Sequence, residues 1–283
     1  MPAYIVSAYK NLDQLVRLVD RLSAGRATVL IHVDRKTDDA EFQRLERALA
    51  GRGAHLLERH VCHWGGFGHV LATLKGIRAL LESGNDFDHL VLLTGQDYPI
   101  KPPGEIERFF SEHRGTSFMA HSRMPSEWWS PRGGLDRIEY RHWRWRGHHA
   151  RLPWKRRFPA GLTPYGGGAY WNLARPCVEH VQRFVESRPD MVDFFRHVDI
   201  PDEVFFQTVV MNSDMAGSVV DDNLRYIDWT RGPRPALLEA RDLPVLEASP
   251  KLFARKFDVF HDAEILDLVD AQLLREPQGA AER

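Results

Sequence analysis

Cysteine is nearly absent: Cys62 and Cys177 are the only two in 283 residues. That excludes a disulfide scaffold and fits a reducing compartment. No apolar run approaches the roughly 20 residues a membrane-spanning helix requires. The N-terminal stretch MPAYIVSAYKN lacks the charged-then-apolar pattern of a signal peptide, so a cytoplasmic location is expected. Excess charge of one sign is missing too. With 38 Lys and Arg against 39 Asp and Glu, the formal net charge is -1. Any attraction to a polyanion must therefore be local. Metalloprotease H-E-x-x-H, C-x-x-C, the G-x-x-x-x-G-K-[ST] phosphate loop and the G-x-G-x-x-G dinucleotide fingerprint are all absent. There is no internal repeat, low-complexity segment or flexible linker.

What is present is alternation. AYIVSA (3–8), TVLIHVD (28–34), AHLLE (54–58) and HLVLLTG (89–95) read as strands. Between them run helical stretches: NLDQLVRLVDRL, with Asn11 as a candidate cap, a polar helix at about 39–50, and VLATLKGIRALLE after the turn HWGGFGH. Such alternation predicts an α/β fold with a mostly parallel sheet covered by helices on both faces. One domain over 1–275 is expected, with a nucleotide-binding half at about 1–120, an acceptor half at about 121–275, and a flexible tail at 276–283. Ligands in such sheets bind beyond the carboxyl ends of the strands, where Asp34 and Asp97 fall.

The pattern breaks from about 121 to 165, where DRIEYRHWRWRGHHARLPWKRRFP mixes basic and aromatic residues without apolar periodicity. Basic groups interleaved with Trp143, Trp145 and Trp154 suit sugar rings, an anionic membrane interface or single-stranded nucleic acid; a purely structural loop is the plainer reading. Strand and helix signals resume with GGAYWNL, PCVEHVQRFVES, DEVFFQTVVMNS, LRYIDW, SPKLFARKF and DAEILDLVDAQLL.

Asp86-Phe87-Asp88 has metal-binding form but precedes its strand, at the wrong end of the sheet, so turn chemistry accounts for it better. The glycines of HWGGFGH could cradle phosphate or simply pack a turn. In IPDEVFFQTVV, Pro201 and Asp202 could start a helix with Glu203 in its first turn, ionised with help from the helix dipole. Glu203 is then either an ordinary first-turn acid or a rigid general base. In SPKLFARKFD, a strand would put Arg255 and Phe257 on one side, Ala254 and Lys256 on the other. A lysine so aimed could meet a polyanion without a metal.

Taken in order, IHVDRK, HWGGFGHVLATL, LLTGQDYPIKP, GGGAYW, PDEVFFQT, LRYIDW and LFARKFD resemble the Core-2/I-branching glycosyltransferases, a family that includes peptide O-xylosyltransferases. The resemblance implies a GT-A-like fold, a UDP-sugar donor, inversion at the anomeric carbon and no metal or other cofactor. It implies that Glu203 is the catalytic base and Lys256 a diphosphate ligand, with Arg231 or Arg234 as second basic partner. Asp34 would contact the nucleoside. Asp97, Gly168, Tyr170, Trp171 and Trp229 would line the donor and acceptor pocket. Expected partners are a donor of the UDP-GlcNAc or UDP-xylose kind and a glycan, polysaccharide or glycolipid acceptor. Nucleic acid is not expected, and residues 137–157 could touch a membrane peripherally. A non-catalytic nucleotide-sugar or glycan binder on the same fold is the alternative.

Overall fold

The structure is a computed structural model that describes residues 1–23, 27–127 and 129–275; the expected tail at 276–283 lies outside the described residues. The strands in chain order are β1 Pro2–Ala8, β2 Val29–Val33, β3 Ala54–Leu56, β4 His89–Thr94, β5 Asp97–Pro99, β6 Ser117–Met119, β7 Ser122–Arg123, β8 His142–Trp145, β9 His148–Arg151, β10 Tyr165–Gly166, β11 Trp171–Ala174, β12 Val219–Val220, β13 Arg225–Ile227 and β14 Phe253–Arg255. The helices are α1 Leu12–Leu22, α2 Asp39–Leu49, α3 Gly68–Glu82, α4 Pro103–Glu112, α5 Leu135–Glu139, α6 Arg175–Ser187, α7 Pro189–Phe195, α8 Phe205–Met211, α9 Leu243–Ala248 and α10 Glu264–Leu268.

Seven strands form the central sheet in the order β12-β6-β11-β4-β1-β2-β3. β3, β2, β1 and β4 are mutually parallel, and β11 runs against both β4 and β6. Side chains alternate across this sheet, and the alternation divides the core in two. Tyr4, Val6, Val29, Ile31, Val91 and Leu93 pack with α1, α2 and α10 on one face. Ala3, Ile5, Leu30, Leu90 and Leu92 pack with α3, α6 and α8 on the other. Continuous apolar runs in the strands are the consequence of burial on both faces. The sheet draws strands from both halves of the chain, so the halves share one layer structure.

A smaller sheet, β13-β14-β5, stands at the carboxyl end of β4, because β5 follows β4 directly. It carries the LFARKF segment to the strand ends where β1 and β2 also finish.

Several local readings are corrected. Asn11 precedes α1 with left-handed φ/ψ and no side-chain capping bond; its amide instead donates to Asp258 Oδ1 at 2.7 Å. The helix expected from Pro201 is split: a 3-10 turn spans Pro201–Glu203, and α8 begins only at Phe205. The 121–165 stretch is ordered into short elements, including the antiparallel hairpin β8–β9. β14 ends at Arg255, so Lys256 lies beyond the strand and the expected face assignment does not extend to it.

Candidate functional site

Three chain segments meet at the carboxyl edge of the parallel strands. Asp258 is their junction, accepting from Lys10 Nζ at 2.5 Å, Asn11 Nδ2 at 2.7 Å and Gln96 Nε2 at 3.3 Å. The segments after β1, β4 and β14 are thereby tied together. Asp34, at the end of β2, is buried, and Lys36 holds it through its main-chain N–H at 2.9 Å and its ammonium at 3.2 Å.

Cations concentrate just before that junction. The Lys256 ammonium has no hydrogen-bond or carboxylate partner among the described residues. Its pKa is held below the usual lysine value, first by burial and then by the charges of Arg255, Lys10 and Arg234, with Asp258 working in the opposite direction. Arg255 is 8% exposed, and its Nε has no hydrogen-bond partner. Its guanidinium stacks 4.1 Å from the Tyr170 ring centroid. The strand periodicity had separated Arg255 from Lys256; the structure brings both to the site, and Arg255 was not among the residues the sequence singled out as ligands.

The two arginine candidates differ in pairing. Arg231 is bound by Asp228, with Nε to Oδ2 at 2.9 Å, and also by Asp242. Arg234 is exposed, forms no ion pair among the described residues, and its charge reaches Lys256. Arg234 is therefore the one with charge to spare.

Asp97 is not a pocket residue in this conformation. It is fully buried. Its Oδ2 accepts from Thr94 N at 2.7 Å and Thr94 Oγ1 at 2.6 Å, while Oδ1 faces Arg225 Nε at 3.7 Å and Arg255 Nε at 3.9 Å. It supplies the countercharge that lets two arginines sit inside the protein. Trp171 is corrected in the same way: it has no exposed surface and packs against Phe206, ring centroids 5.1 Å apart. Trp229, by contrast, is 56% exposed.

Glu203 ends the 3-10 turn ahead of α8, its side chain 32% exposed. Arg137 Nη1 donates to Glu203 Oε2 at 2.6 Å, and Oε1 makes no hydrogen bond among the described residues. Burial raises the Glu203 pKa, opposed by Arg137 and reinforced by Asp202 and Asp199. The expected helix-dipole depression is thus outweighed by desolvation. Arg137 is itself stacked 4.1 Å from the Trp129 ring centroid.

The glycines of GGGAYW have separate reasons. A Cβ on Gly166 would meet Trp129 Cη2 at 2.4 Å, and one on Gly167 would meet Ala120 O at 1.9 Å. Gly168 faces open space apart from Asn223 Nδ2 at 3.5 Å, and its carbonyl accepts from Gln207 Nε2 at 2.7 Å. Gly167 N–H donates to Glu203 O at 2.9 Å. Three residues on, Tyr170 carries Arg255. The Glu203 main chain and the Arg255 guanidinium are thus linked through Gly167 to Tyr170, a segment that spans at most about 10 Å of extended chain.

Elsewhere, nearby protein groups engage the remaining candidates. Asp86 pairs with Arg175 at 2.9 Å and Asp88 with Arg114 at 3.2 Å. In HWGGFGH, Gly65 gives way to the Arg144 side chain and Gly68 to Cys62. Trp143, Trp145 and Trp154 are exposed at 42%, 61% and 72%, along or just after the basic hairpin. No helix among the described residues is long and apolar enough to cross a membrane.

The Core-2/I-branching enzyme family model matches residues 2–251. Human xylosyltransferase 2 is 28% identical over 295 residues, covering 96% of this chain and 33% of the relative. Xylosyltransferase oxt of Drosophila melanogaster is 29% identical over 284 residues, covering 92% of this chain and 32% of the relative. The chain thus spans about a third of the length of these curated relatives. Among solved structures, the apo form of mouse xyloside xylosyltransferase 1 aligns with 90% of this chain and 97% of its own, at 10% identity and a TM-score of 0.37.

Proposed function

Because this chain belongs to the Core-2/I-branching enzyme family, we propose that it is an inverting glycosyltransferase that takes its sugar from a UDP-sugar without a metal at the diphosphate. The observation that carries this reading is the excess of cation at the strand ends: Lys256 and Arg234 form no ion pair among the described residues, and Arg255 faces Asp97 at 3.9 Å, a carboxylate it shares with Arg225. Left alone, such a set is electrostatically unfavourable; a bound diphosphate relieves it. This chain's relatives include xylosyltransferases, so UDP-xylose and UDP-GlcNAc are the donors to test first.

In the mechanism, Glu203 Oε1 accepts the proton of an acceptor hydroxyl as that oxygen attacks the anomeric carbon. The sugar–phosphate bond breaks on the opposite face, and the growing charge on UDP falls on Lys256 and the arginines. Cations already in place need no reorganisation as that charge develops, which is where they contribute most. Arg137 keeps the buried carboxylate ionised and aimed. The exposed tryptophans of the β8–β9 region, flanked by basic residues, offer a surface for a glycan, polysaccharide or glycolipid acceptor.

The test is UDP release from UDP-xylose and UDP-GlcNAc with oligosaccharide and glycolipid acceptors, in excess chelator. Acceptor-dependent release that Glu203→Gln abolishes supports the reading. Donor binding with no turnover for any acceptor would favour a non-catalytic sugar-nucleotide binder.

A further inference from the structure

His32, on β2, meets the loop ahead of α3 through His60 and Cys62. One donor atom from each of the three lies within 4.8 Å of the others, with His32 and Cys62 buried and His60 partly so. The spacing of these residues along the chain, 28 positions between the histidines, matches no short metal motif, and only the fold unites them.

The hydrogen bonding fixes the tautomer of His60 and aims its free lone pair at His32. His60 Nε2 lies 2.8 Å from Gly68 O, a carbonyl that can only accept, so Nε2 carries the proton and Nδ1 of the neutral ring carries a lone pair. That lone pair faces His32 Nε2 at 3.1 Å. The main-chain N–H of His60 donates to the same His32 Nε2 at 3.3 Å, which calls for a lone pair there as well. Two ring lone pairs then confront each other. Either a proton on His32 Nε2 or a cation held between the rings would resolve that contact, and each would displace the weaker 3.3 Å main-chain contact.

The separation suits an ion. Zn–N bonds of about 2.0–2.1 Å in a tetrahedron put two ligand nitrogens about 3.3 Å apart. The Nε2–H of His60 on a backbone carbonyl is the outer contact that fixes a metal-binding imidazole in orientation and tautomer. Beside them, Gly68 packs closely on Cys62: a Cβ there would lie 2.9 Å from Cys62 Cα and 3.2 Å from its Sγ. Two imidazoles and a thiol form a borderline-soft set that favours zinc over magnesium, manganese or calcium.

We propose that His32, His60 and Cys62 bind one zinc-class ion that pins β2 to the loop preceding α3. On binding, the Cys62 S–H bond breaks, a sulfur–metal bond forms, and the proton leaves to solvent. With three protein ligands a water completes the tetrahedron, and the role inferred is to hold β2 to the loop, apart from diphosphate binding. Lys36 connects the two regions, because its ammonium reaches Cys62 O at 2.7 Å as well as Asp34.

The full chain, stripped with chelator, is titrated with Co²⁺ and with Zn²⁺. The expected results are one ion per chain, a thiolate-to-cobalt charge-transfer band, a raised melting temperature with zinc, and proton release seen calorimetrically in buffers of different ionisation enthalpy. Cys62→Ser should remove the band and weaken zinc binding by at least about tenfold. His149→Ala, at the separate His142–His149–Asp199 group, should change neither. Cobalt bound without the band, zinc affinity unaltered by Cys62→Ser, or no stoichiometric ion would overturn the proposal. Should Cys62→Ser fail to fold, the wild-type cobalt spectrum and proton release decide it alone.

Discussion

Arg137 and Glu203 stand 66 positions apart in sequence and 2.6 Å apart in space, guanidinium Nη1 to carboxylate Oε2. The pair sets the working state of the proposed base. Burial pushes the Glu203 carboxyl up, and Arg137 is the largest influence holding it down. Without Arg137 the carboxyl keeps its proton to higher pH and cannot act as base there. Arg137→Met is therefore expected to move the acid limb of the pH–kcat/KM profile to higher pH, with a larger loss at pH 6 than at pH 8. An unshifted limb would show that Arg137 does not tune the base.

Glu203→Gln keeps the shape of the side chain and removes its basicity. Loss of a general base costs about 10²–10⁴-fold in rate. Transfer should fall by such a factor while calorimetry shows UDP bound as before. Near-normal transfer would dismiss Glu203 from the role.

The cation set makes a prediction that separates its arginines. Arg255 stacks on Tyr170 and shares the single carboxylate of Asp97 with Arg225, whereas Arg231 has two carboxylates, Asp228 and Asp242. Removing one charged hydrogen bond to a diphosphate is worth about 1.5–3 kcal/mol. Arg255→Ala should thus weaken UDP about 10- to 100-fold, while Arg231→Ala leaves nucleotide affinity close to wild type and chiefly loosens its own loop. The reverse ranking, read by equilibrium binding, would move the diphosphate to the Arg231 side.

Asp97 is expected to matter through stability. It is fully buried between Arg225 and Arg255, so Asp97→Ala leaves two buried cations uncompensated. Breaking a buried charge arrangement from one side costs about 3–5 kcal/mol. Denaturant unfolding should show a loss of that order. A variant of native stability would mean that the arginines are balanced by something other than Asp97.

The layered α/β fold could be read from the chain because its strands are buried on both faces and its helices carry apolar stripes, as in β4 and α1. Glu203 and Lys256 could be singled out through the family resemblance, since each sits in a short contiguous motif. Arg137 could not, because its partner is 66 residues away and the segment around it has no periodicity. Arg255 was placed on the far face by assuming that β14 continued through Phe257; the strand stops at Arg255. Trp171 is expected in the pocket only through the family resemblance, which puts the GGGAYW segment there. Yet Gly166 and Gly167 are demanded by Trp129 and Ala120, and the tryptophan turns into the core. Close approaches of this kind depend on distant side chains, which local sequence does not specify.

The most direct test of the central claim is a calorimetric titration of UDP into the wild-type protein and into Lys256→Ala, both in excess EDTA. The account predicts clear binding by the wild type and a loss of at least about tenfold in the variant, as expected for one charged contact. Binding that appears only when manganese is supplied, or that is indifferent to Lys256→Ala, would contradict a diphosphate site built from the protein's own cations.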